Sequence, residues 1–494
     1  MIDIVINATP RETRVALLEQ RQVTEVFIER RTDQGIVGNI YRGRVAKILP
    51  GMQAAFVDIG LAKAGFLHVS DVYVEAAPVP VPLELPAPAP IPTAAIEALL
   101  YEGQEILVQV AKEPLGTKGC RLTAYLSLAG RYLVLMPGVE HIGISRRITD
   151  AAEQERLRLC LTALCPAGMG CIARTLSAGV SPEALEADLH FLSRLWEHLQ
   201  DKARTMLAPC LVHQELDLVL RTLRDYLTAD VERVILDDPD TFERARTFMQ
   251  ATAWPHLVSH LVLYQALTPL FEAFGVEREI ERALQRKIWL KSGGYIIIEH
   301  TEALVAIDVN TGRFVGTHDP EATMLTTNLE AVDEIVRQLR LRNIGGLVVI
   351  DFIDMEIEEH QQRVLQALEQ AVQGDRAHTK VLALSAFGVV EMTRKRVRAS
   401  LEQMLCEPCH VCHGTGRVES TATLCGKVLR EIQRVMQVTP HTKKVMVTVP
   451  PVVAAMLYNE EKVHIGAVEE RYQVTLTIHS ENDLPQGHFE VLAL

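Results

Sequence analysis

The sequence lacks an excess of basic residues. Its 50 lysines and arginines are outnumbered by 63 aspartates and glutamates, which gives a formal net charge of −13. A nucleic-acid-binding protein with this balance cannot attract phosphates through its overall field, so it needs local basic patches or metal ions. The net charge therefore counts mildly against nucleic acid as a partner.

Long hydrophobic runs and a disulfide framework are also missing. The uncharged run over 247–271 is interrupted by Pro255 and Pro269, so it does not predict a membrane span. The N-terminus carries Asp3 and no long apolar stretch, which argues against a secretory signal. Five of the nine cysteines are scattered, and four lie close together: Cys406, Cys409, Cys412 and Cys425. We therefore expect a cytoplasmic protein with reduced thiols and one metal or redox cluster.

The texture of the chain changes along its length, and 494 residues predict three or four domains. Short β-rich runs broken by glycine begin at Gly35 and predict a small barrel. Seven prolines within 78–92 predict an extended surface loop in it. Helical spacing predicts helices over 182–203 and 216–287, and the alternating tail from Lys443 predicts a small α+β domain.

Two predicted strands end in the same way, LVAID at Asp308 and LVVID at Asp351. A helix predicted from Thr327 to Arg342 separates them. If it crosses between neighbouring parallel strands, both aspartates emerge at the same edge of the sheet. Carboxylates held so close repel each other unless they share a divalent cation, and Mg²⁺ suits them. The alternative is that each aspartate merely ends its strand as a turn residue.

Long motifs surround these aspartates: AIDVNTG (306–312), TTNLEAVDEIVRQLRLRNIGGLVVIDFIDM (326–355) and EMTRKR (391–396). NIYRGRVAKILPGMQAAFVDIG (39–60) and PLGTKG (114–119) precede them. Together these motifs closely resemble the ribonuclease E/G family, from about residue 2 to the end of the chain. The chain ends soon after the small domain, without the long charged tail of ribonuclease E. We therefore expect the ribonuclease G branch of the family, or a short ribonuclease E.

The resemblance implies a multidomain fold of mixed α/β and α+β class. The implied parts are an RNase H-like subdomain split over 1–34 and 221–285, an OB-fold RNA-binding barrel inserted at 35–120, a 5′-sensor region at 121–220, a DNase I-like catalytic domain at 286–405, a zinc link at 406–416 and a small C-terminal α+β domain at 417–494.

The resemblance also implies an activity and its residues. Asp308 and Asp351 match the family's magnesium ligands, and Asn310 matches an asparagine that contacts the scissile phosphate. The implied reaction is endonucleolytic hydrolysis of single-stranded, A/U-rich RNA, which leaves 5′-phosphate and 3′-hydroxyl ends and is stimulated by a 5′-monophosphate. Its implied roles are rRNA and tRNA processing and mRNA decay. Two alternatives stay open: a non-catalytic OB-fold RNA-binding protein and a metallophosphatase for small phosphate esters.

The resemblance matches three barrel residues, Phe56, Phe66 and Lys112, to the family's RNA-contacting set. Barrels of this kind stack bases on aromatic side chains while cations follow the RNA backbone. For a lone phenylalanine in a strand such as AAFVDIG, burial in the core is the usual alternative. The resemblance favours the surface interpretation.

Arg174 and Thr175 match the family's pocket for the RNA 5′ end. A guanidinium and a hydroxyl suit a terminal monophosphate with its extra charge. One further basic residue of the pocket is expected from Arg376 or His378. A run of four basic residues after the catalytic strands is predicted to bind substrate, with a solvated helix face as the alternative: Arg394, Lys395, Arg396 and Arg398.

The segment CEPCHVCHGTG (406–416) predicts a structural zinc site. The resemblance implies that two subunits each give one C-x-x-C, here Cys409 and Cys412, to a shared zinc, which makes the protein a homodimer or homotetramer. The family's proline after the first of these cysteines is His410 here. That departure leaves open a site within one chain, formed by Cys406, Cys409, Cys412 and His413.

Overall fold

The computed structural model describes residues 2–33, 35–72, 95–114, 119–228, 230–252, 254–313, 320–385, 388–396, 398–484 and 487–494. The proline-rich segment 78–92 lies outside the described residues. The chain forms two units, Met1–Met404 and Leu405–Leu494. Within the described residues, the first unit contains four β-sheets and the second contains one, so the fold is of mixed α/β type.

One sheet joins strands that lie far apart in sequence. It contains β1 (Ile2–Ala8), β2 (Glu12–Glu19), β3 (Gln22–Arg30), β14 (Val231–Leu236) and β15 (Leu261–Leu263), in the order β15-β14-β1-β2-β3. The helices of this region are α4 (Leu218–Tyr226), α5 (Pro239–Ala251), α6 (Leu270–Ala273) and α7 (Val276–Ala283). The apolar faces of α4 and α5 pack with the sheet into one core. The segment predicted as helical over 216–287 therefore also contains two strands, whose short apolar runs are not separable from helix by periodicity alone.

Residues 40–123 contain a closed barrel of five strands. They are β4 (Ile40–Leu49), β5 (Ala54–Asp58), β6 (Gly65–His68), β7 (Glu105–Lys112) and β8 (Arg121–Thr123). β4 pairs with β5 on one side and with β7 on the other, and β8 lies between β6 and β7. A Cβ at Gly43 of β4 would come within 2.6 Å of the Val57 side chain, so glycine permits this close approach. The architecture is consistent with the predicted OB-type barrel.

A four-stranded sheet with two helices follows the barrel. Its elements are β9 (Leu128–Ala129), β10 (Leu133–Pro137), β11 (Ile142–Ile144), β12 (Met169–Ala173), α2 (Ala151–Leu164) and α3 (Pro182–Thr205), with the strand order β11-β12-β10-β9. The buried Asp188 of α3 accepts hydrogen bonds of 2.9 and 3.0 Å from the backbone N–H groups of Tyr132 and Leu133. This carboxylate fixes α3 against the start of β10. Outside this sheet, α1 (Ile96–Leu99) packs on the barrel and β13 (Cys210–His213) extends it beside β4.

The largest core of the first unit belongs to a six-stranded sheet. Its strands are β16 (Lys287–Trp289), β17 (Tyr295–His300), β18 (Leu304–Asn310), β19 (Gly346–Asp351), β20 (Thr379–Leu384) and β21 (Val389–Arg394), in the order β16-β17-β18-β19-β21-β20. α8 (Pro320–Leu341) and α9 (Glu358–Gln373) pack on one face, and α10 (Leu401–Leu405) follows. The crossover helix α8 begins at Pro320 rather than at the predicted Thr327. No residue of its first turn is buried, so apolar spacing does not reveal this turn in the sequence.

The second unit is a small α+β domain, as the alternating tail predicted. It contains α11 (Thr421–Val438), β22 (Lys444–Val449), α12 (Pro451–Asn459), α13 (Lys462–Tyr472), β23 (Thr475–Ser480) and β24 (Glu490–Ala493). β22 is the central strand, parallel to β23 and antiparallel to β24. Across the described parts of both units, no helix combines the length and apolar character needed to cross a bilayer.

Candidate active site and RNA-binding surfaces

Asp308 and Asp351 lie side by side on two neighbouring strands. β18 and β19 are parallel, and their register places Asp308 opposite Asp351. Since successive residues of a strand point to opposite faces, Ile307 and Ile350 enter the core while both aspartates point to the other face. The structure therefore brings the two carboxylates together at one end of the sheet, as the paired strand endings predicted.

The electrostatics of this pair are unfavourable without a cation. Burial raises the pKa of Asp351, and the negative charges of Asp308 and Asp354 raise it further. Among the described residues, neither Asp308 nor Asp351 forms an ion pair with a basic side chain. Two oxygen donors that repel each other fit a divalent cation of the Mg²⁺ type. No group of three or more acidic, histidine or cysteine ligands exists in the described chain, so water and phosphate would complete the coordination.

Asn310 is positioned beside the carboxylates by its strand and by the turn after it. Its Nδ2 donates a hydrogen bond of 2.8 Å to Oδ2 of Asp308. The turn ends at Gly312, whose φ is +59°. A Cβ there would lie 2.5 Å from the carbonyl oxygen of Gly293 and 3.0 Å from the Tyr295 ring, so the Asn-Thr-Gly sequence requires this glycine.

The barrel carries a row of aromatic and basic side chains. In register, Lys47 lies opposite Phe56, Phe56 opposite Phe66, Phe66 beside Arg121 and Arg121 opposite Lys112. The rings of Phe56 and Phe66 pack edge to face with centroids 6.1 Å apart. Both phenylalanines are half-buried and lie outside the barrel core, while the three basic residues are exposed. The arrangement favours the surface interpretation of these rings over the core interpretation.

Arg174 and Thr175 follow β12 directly. Arg174 forms an ion pair of 2.8 Å with Asp225 and donates a hydrogen bond to the carbonyl oxygen of Gly130. Oγ1 of Thr175 lies 2.9 Å from Oγ of Ser145. The guanidinium is therefore held in place from inside the protein.

Asp225 also fixes one of the two further basic candidates. Arg376 donates a hydrogen bond of 2.9 Å to the Asp225 carbonyl oxygen, and its guanidinium lies 4.0 Å from the centroid of the Tyr226 ring. Arg376 and Arg174 thus both contact Asp225. Among the described residues, His378 makes no such contact. The geometry favours Arg376 as the partner of Arg174.

The basic run after the catalytic strands divides into buried and exposed residues. Arg394 is buried, forms an ion pair of 2.5 Å with Asp375 and donates to the carbonyl oxygen of Ile344. Arg398 lies 3.6 Å from the centroid of the Phe27 ring. The prediction that the run binds substrate is therefore wrong for Arg394, whose charge is neutralised internally, and Arg398 serves packing. Arg396 is exposed.

The cysteine segment forms a tight turn at the start of the second unit. Cys406 and Cys409 are exposed, Cys412 is half-buried, and the N–H of His413 donates to the Cys409 carbonyl oxygen at 2.7 Å. The backbone N–H groups of Cys412 and Val411 lower the pKa of Cys409, which favours the thiolate that binds zinc. Two thiolates from one chain fit half of a four-ligand site. Among the described residues, Cys406 and His413 do not join them in a metal-binding group, so the one-chain alternative gains no support.

Two residues of these surfaces escape prediction from sequence. Arg121 completes the barrel row and forms an ion pair of 2.8 Å with Asp71. Its signal, a basic residue on a short strand after a glycine, is visible only once the strand register is known. Asp225 has no informative local signal: its neighbour Arg224 also pairs with it, but Arg174 and Arg376 come from distant parts of the chain.

Comparison with known proteins agrees with this architecture. Residues 127–397 match the model of the Ribonuclease E/G family, and residues 408–494 match that of the RNase E/G thioredoxin-like domain. The chain is 43% identical over 492 residues to Ribonuclease G of Escherichia coli (strain K12), which covers 100% of this chain and 99% of that relative. This chain belongs to the ribonuclease E/G family.

Other members of the ribonuclease E/G family align over the same length of the chain. Ribonuclease G of Haemophilus influenzae is 44% identical over 495 residues, with 99% of that relative covered. Ribonuclease E of Escherichia coli (strain K12) is 40% identical over 493 residues, but only 46% of that relative is covered. The likeness to ribonuclease E is thus confined to about half of that protein.

Proposed function

We propose that this chain is a magnesium-dependent endoribonuclease that hydrolyses single-stranded, A/U-rich RNA and leaves 5′-phosphate and 3′-hydroxyl ends. The observation that carries the proposal is the register of Asp308 opposite Asp351, with no basic side chain paired to either in the described residues. Membership in the ribonuclease E/G family supplies the substrate class. Its cellular role would be processing of rRNA and tRNA and decay of mRNA, in the cytoplasm.

Each residue at the sheet end has a separate task in this proposal. Asp308 and Asp351 would hold Mg²⁺, and the bound ion would offset negative charge on the scissile phosphodiester. Asn310 orients Asp308 through one amide N–H. Its second N–H has no partner among the described residues and would donate to a phosphate oxygen. Rigid strands support all three side chains, which suits a reaction that depends on positioning.

RNA would be held on two further surfaces. Phe56 and Phe66 would stack bases while Lys112 contacts the backbone. Arg174 and Thr175 would bind a 5′-monophosphate, so that this end group stimulates cleavage. Unlike Arg394, whose three guanidinium nitrogens all bond inside the protein, Arg174 contacts Asp225 and Gly130 through Nη1. Its Nε and Nη2 make no contact with the described residues and would donate to phosphate from an already oriented guanidinium.

We further propose that Cys409 and Cys412 share a structural zinc with a second copy of the chain, giving a homodimer or homotetramer. Metal analysis with sedimentation tests this: we expect about one zinc per two chains, because a structural site needs four ligands. Cys409→Ser should then split the assembly. One zinc per chain, with an unchanged oligomer in the variant, would instead establish a site within one chain.

The decisive experiment is cleavage of a defined A/U-rich single-stranded RNA with mapped product ends. We expect internal cuts with 5′-phosphate and 3′-hydroxyl ends that require Mg²⁺, and faster cleavage of 5′-monophosphorylated than of 5′-hydroxyl RNA. Binding without cleavage would identify a non-catalytic RNA-binding protein. Hydrolysis of nitrophenyl phosphate with no cleavage of RNA would identify a phosphatase instead.

A further inference from the structure

Trp289 differs from the other two tryptophans of the chain in its exposure. Trp196 and Trp254 are 9% and 3% exposed, whereas Trp289 is 47% exposed. It ends the edge strand β16, on the sheet face that carries the catalytic candidates. An indole left this open to water next to a catalytic site suggests a surface that a ligand covers.

Trp289 belongs to a compact cluster of aromatic and basic side chains. The rings of Trp289 and Tyr295 pack edge to face with centroids 5.4 Å apart. Nζ of Lys287 lies 4.0 Å from the Trp289 centroid and 3.5 Å from that of Tyr295. The guanidinium of Arg313 lies 6.0 Å from the Trp289 ring. We call these four residues the aromatic–cation cluster.

The strand register joins this cluster to the carboxylates. Trp289 lies opposite Tyr295, and Tyr295 lies opposite Asn310. In the neighbouring row, Lys287 lies opposite Ile297 and Ile297 opposite Asp308. Since adjacent strands are about 4.8 Å apart, the cluster begins roughly 10 Å from the carboxylate pair on the same face.

We propose that the aromatic–cation cluster is a base-stacking site for a nucleotide next to the scissile phosphate of single-stranded RNA. The inference rests on the proposed endoribonuclease function and adds a binding site to it. The two cations supply the positive charge that the carboxylate pair lacks, and they attract the RNA backbone. Lys287 lies over one face of each ring, and the exposed remainder of Trp289 would stack an unpaired base with little sequence preference. Gly312, packed against the Tyr295 ring, couples the ring position to the turn that carries Asn310.

Tryptophan fluorescence tests occupancy of the site directly. Acrylamide reaches exposed indoles, so Trp289 should supply nearly all quenchable emission of the free protein. We expect saturating A/U-rich RNA, added to an Asp351→Asn background that prevents turnover, to reduce that quenching several-fold. The same background with Trp289→Phe should lack the quenchable component. Unchanged quenching at saturating RNA would overturn the inference.

Cleavage of RNAs with one abasic nucleotide tests the role of the stacked base. In the wild type, an abasic site at one position beside the cut should lower kcat/KM by about tenfold, the usual size of one base–aromatic stack. In Trp289→Ala, the intact RNA should lose a similar factor and the abasic site should cost nothing more. Trp289→Phe should restore most of the rate, which excludes misfolding. Tyr101→Ala, which removes a 69% exposed aromatic residue from the barrel region, is the matched control and should keep the abasic penalty.

The outcomes separate the two proposals. Efficient cleavage with equal abasic penalties in wild type and Trp289→Ala would overturn the stacking site and leave the endoribonuclease standing. Absence of cleavage by the wild type would overturn the endoribonuclease. In that case, if RNA also failed to shield Trp289 from acrylamide, the stacking site would be overturned as well.

Discussion

The two ends of strand β19 carry charge in opposite ways, one buried and paired, the other exposed and unpaired among the described residues. Where the strand begins, Gly346 lies opposite Arg394, and Arg394 is neutralised by Asp375. Where it ends, Asp351 lies beside Asp308, and the described chain provides neither with a basic partner. Burial and repulsion raise the pKa of Asp351. One end is neutralised within the protein, whereas the other keeps a repulsion that a cation from solution would relieve.

This difference separates a charge that serves the structure from a charge that is open to a ligand. A buried ion pair whose hydrogen-bonding groups are all used inside the protein keeps the fold rigid but cannot bind a ligand. A carboxylate pair left open is destabilising for the apoprotein and becomes favourable when a divalent ion binds. The same sheet carries both kinds of charge. The buried Arg394–Asp375 ion pair keeps β19 rigid, which holds the Asp308–Asp351 carboxylates in position.

Removing either open carboxylate should give the largest change in activity. Asp308→Asn and Asp351→Asn should each lower kcat for RNA cleavage by about a thousandfold, because each removes a proposed metal ligand and no packing. The melting temperature in the absence of Mg²⁺ should stay equal or rise, since a repulsion is removed. Rates near wild type at saturating Mg²⁺ would contradict the assignment, and so would a strongly lowered melting temperature.

Breaking the closed end should instead affect stability. Asp375→Asn leaves the buried guanidinium of Arg394 without its counter-charge and should lower the free energy of unfolding by about 3–4 kcal/mol. Denaturant unfolding measures it. Asp201→Asn is the matched control, because its ion pair with Arg204 is exposed and is worth less than about 0.5 kcal/mol. If both substitutions lowered the free energy of unfolding equally, the Arg394–Asp375 ion pair would not be the structural charge that the comparison of the two ends of β19 assumes.

Asp225 is an intermediate case: it is paired with arginines inside the protein, but it lies close to a proposed phosphate site. Burial alone would raise its pKa, but hydrogen bonds and charges of Arg224 and Arg174 outweigh burial and lower it. A carboxyl with a lowered pKa stabilises the fold above its unfolded pKa of about 4, and this contribution is lost as pH falls through the folded value. Asp225→Asn should thus cost about 2 kcal/mol at pH 7. The gap to wild type should shrink in unfolding experiments below about pH 4; a constant gap would show that charge is not the cause.

The smallest expected effect concerns Arg174. Arg174→Ala should remove a preference for 5′-monophosphorylated RNA of about tenfold, the size of one charge-assisted hydrogen bond, while cleavage of 5′-hydroxyl RNA stays unchanged. Ratios of kcat/KM for the two RNAs measure it. Arg204→Ala, which removes an exposed arginine elsewhere, should keep the preference. Loss of both activities in Arg174→Ala would place Arg174 outside the 5′-end pocket.

The carboxylate pair could be predicted from sequence because its signals are local. Each strand contains a short apolar run that leads to an aspartate, at the end of β19 and two residues before the end of β18. A crossover helix brings both aspartates to one edge. The barrel could be anticipated from glycine-broken strands, but the surface position of Phe56 and Phe66 depended on the family resemblance. The position of Arg121 beside these rings follows only from the strand register of the structure, not from the alternation of apolar and polar residues in the sequence.

The buried arginines could not be predicted in this way. Arg394 and Arg396 look alike in sequence, and the difference between them depends on Asp375, 19 residues from Arg394. The aromatic–cation cluster was also invisible, because Lys287, Trp289 and Arg313 meet only after three strands have paired. Charge neutralisation and side-chain clusters are tertiary properties, whereas strand endings are local ones.

The parallel pairing of β1 with β14 has a consequence for how the chain is made. The hairpin of β1 and β2 leaves the ribosome early, yet the strand that covers the other side of β1 begins only at Val231. At ordinary rates of synthesis, that edge waits on the order of ten seconds or more for its partner. An unpaired strand edge invites wrong pairing with other chains. The nascent chain is therefore most vulnerable to aggregation in the interval before its first strand is covered.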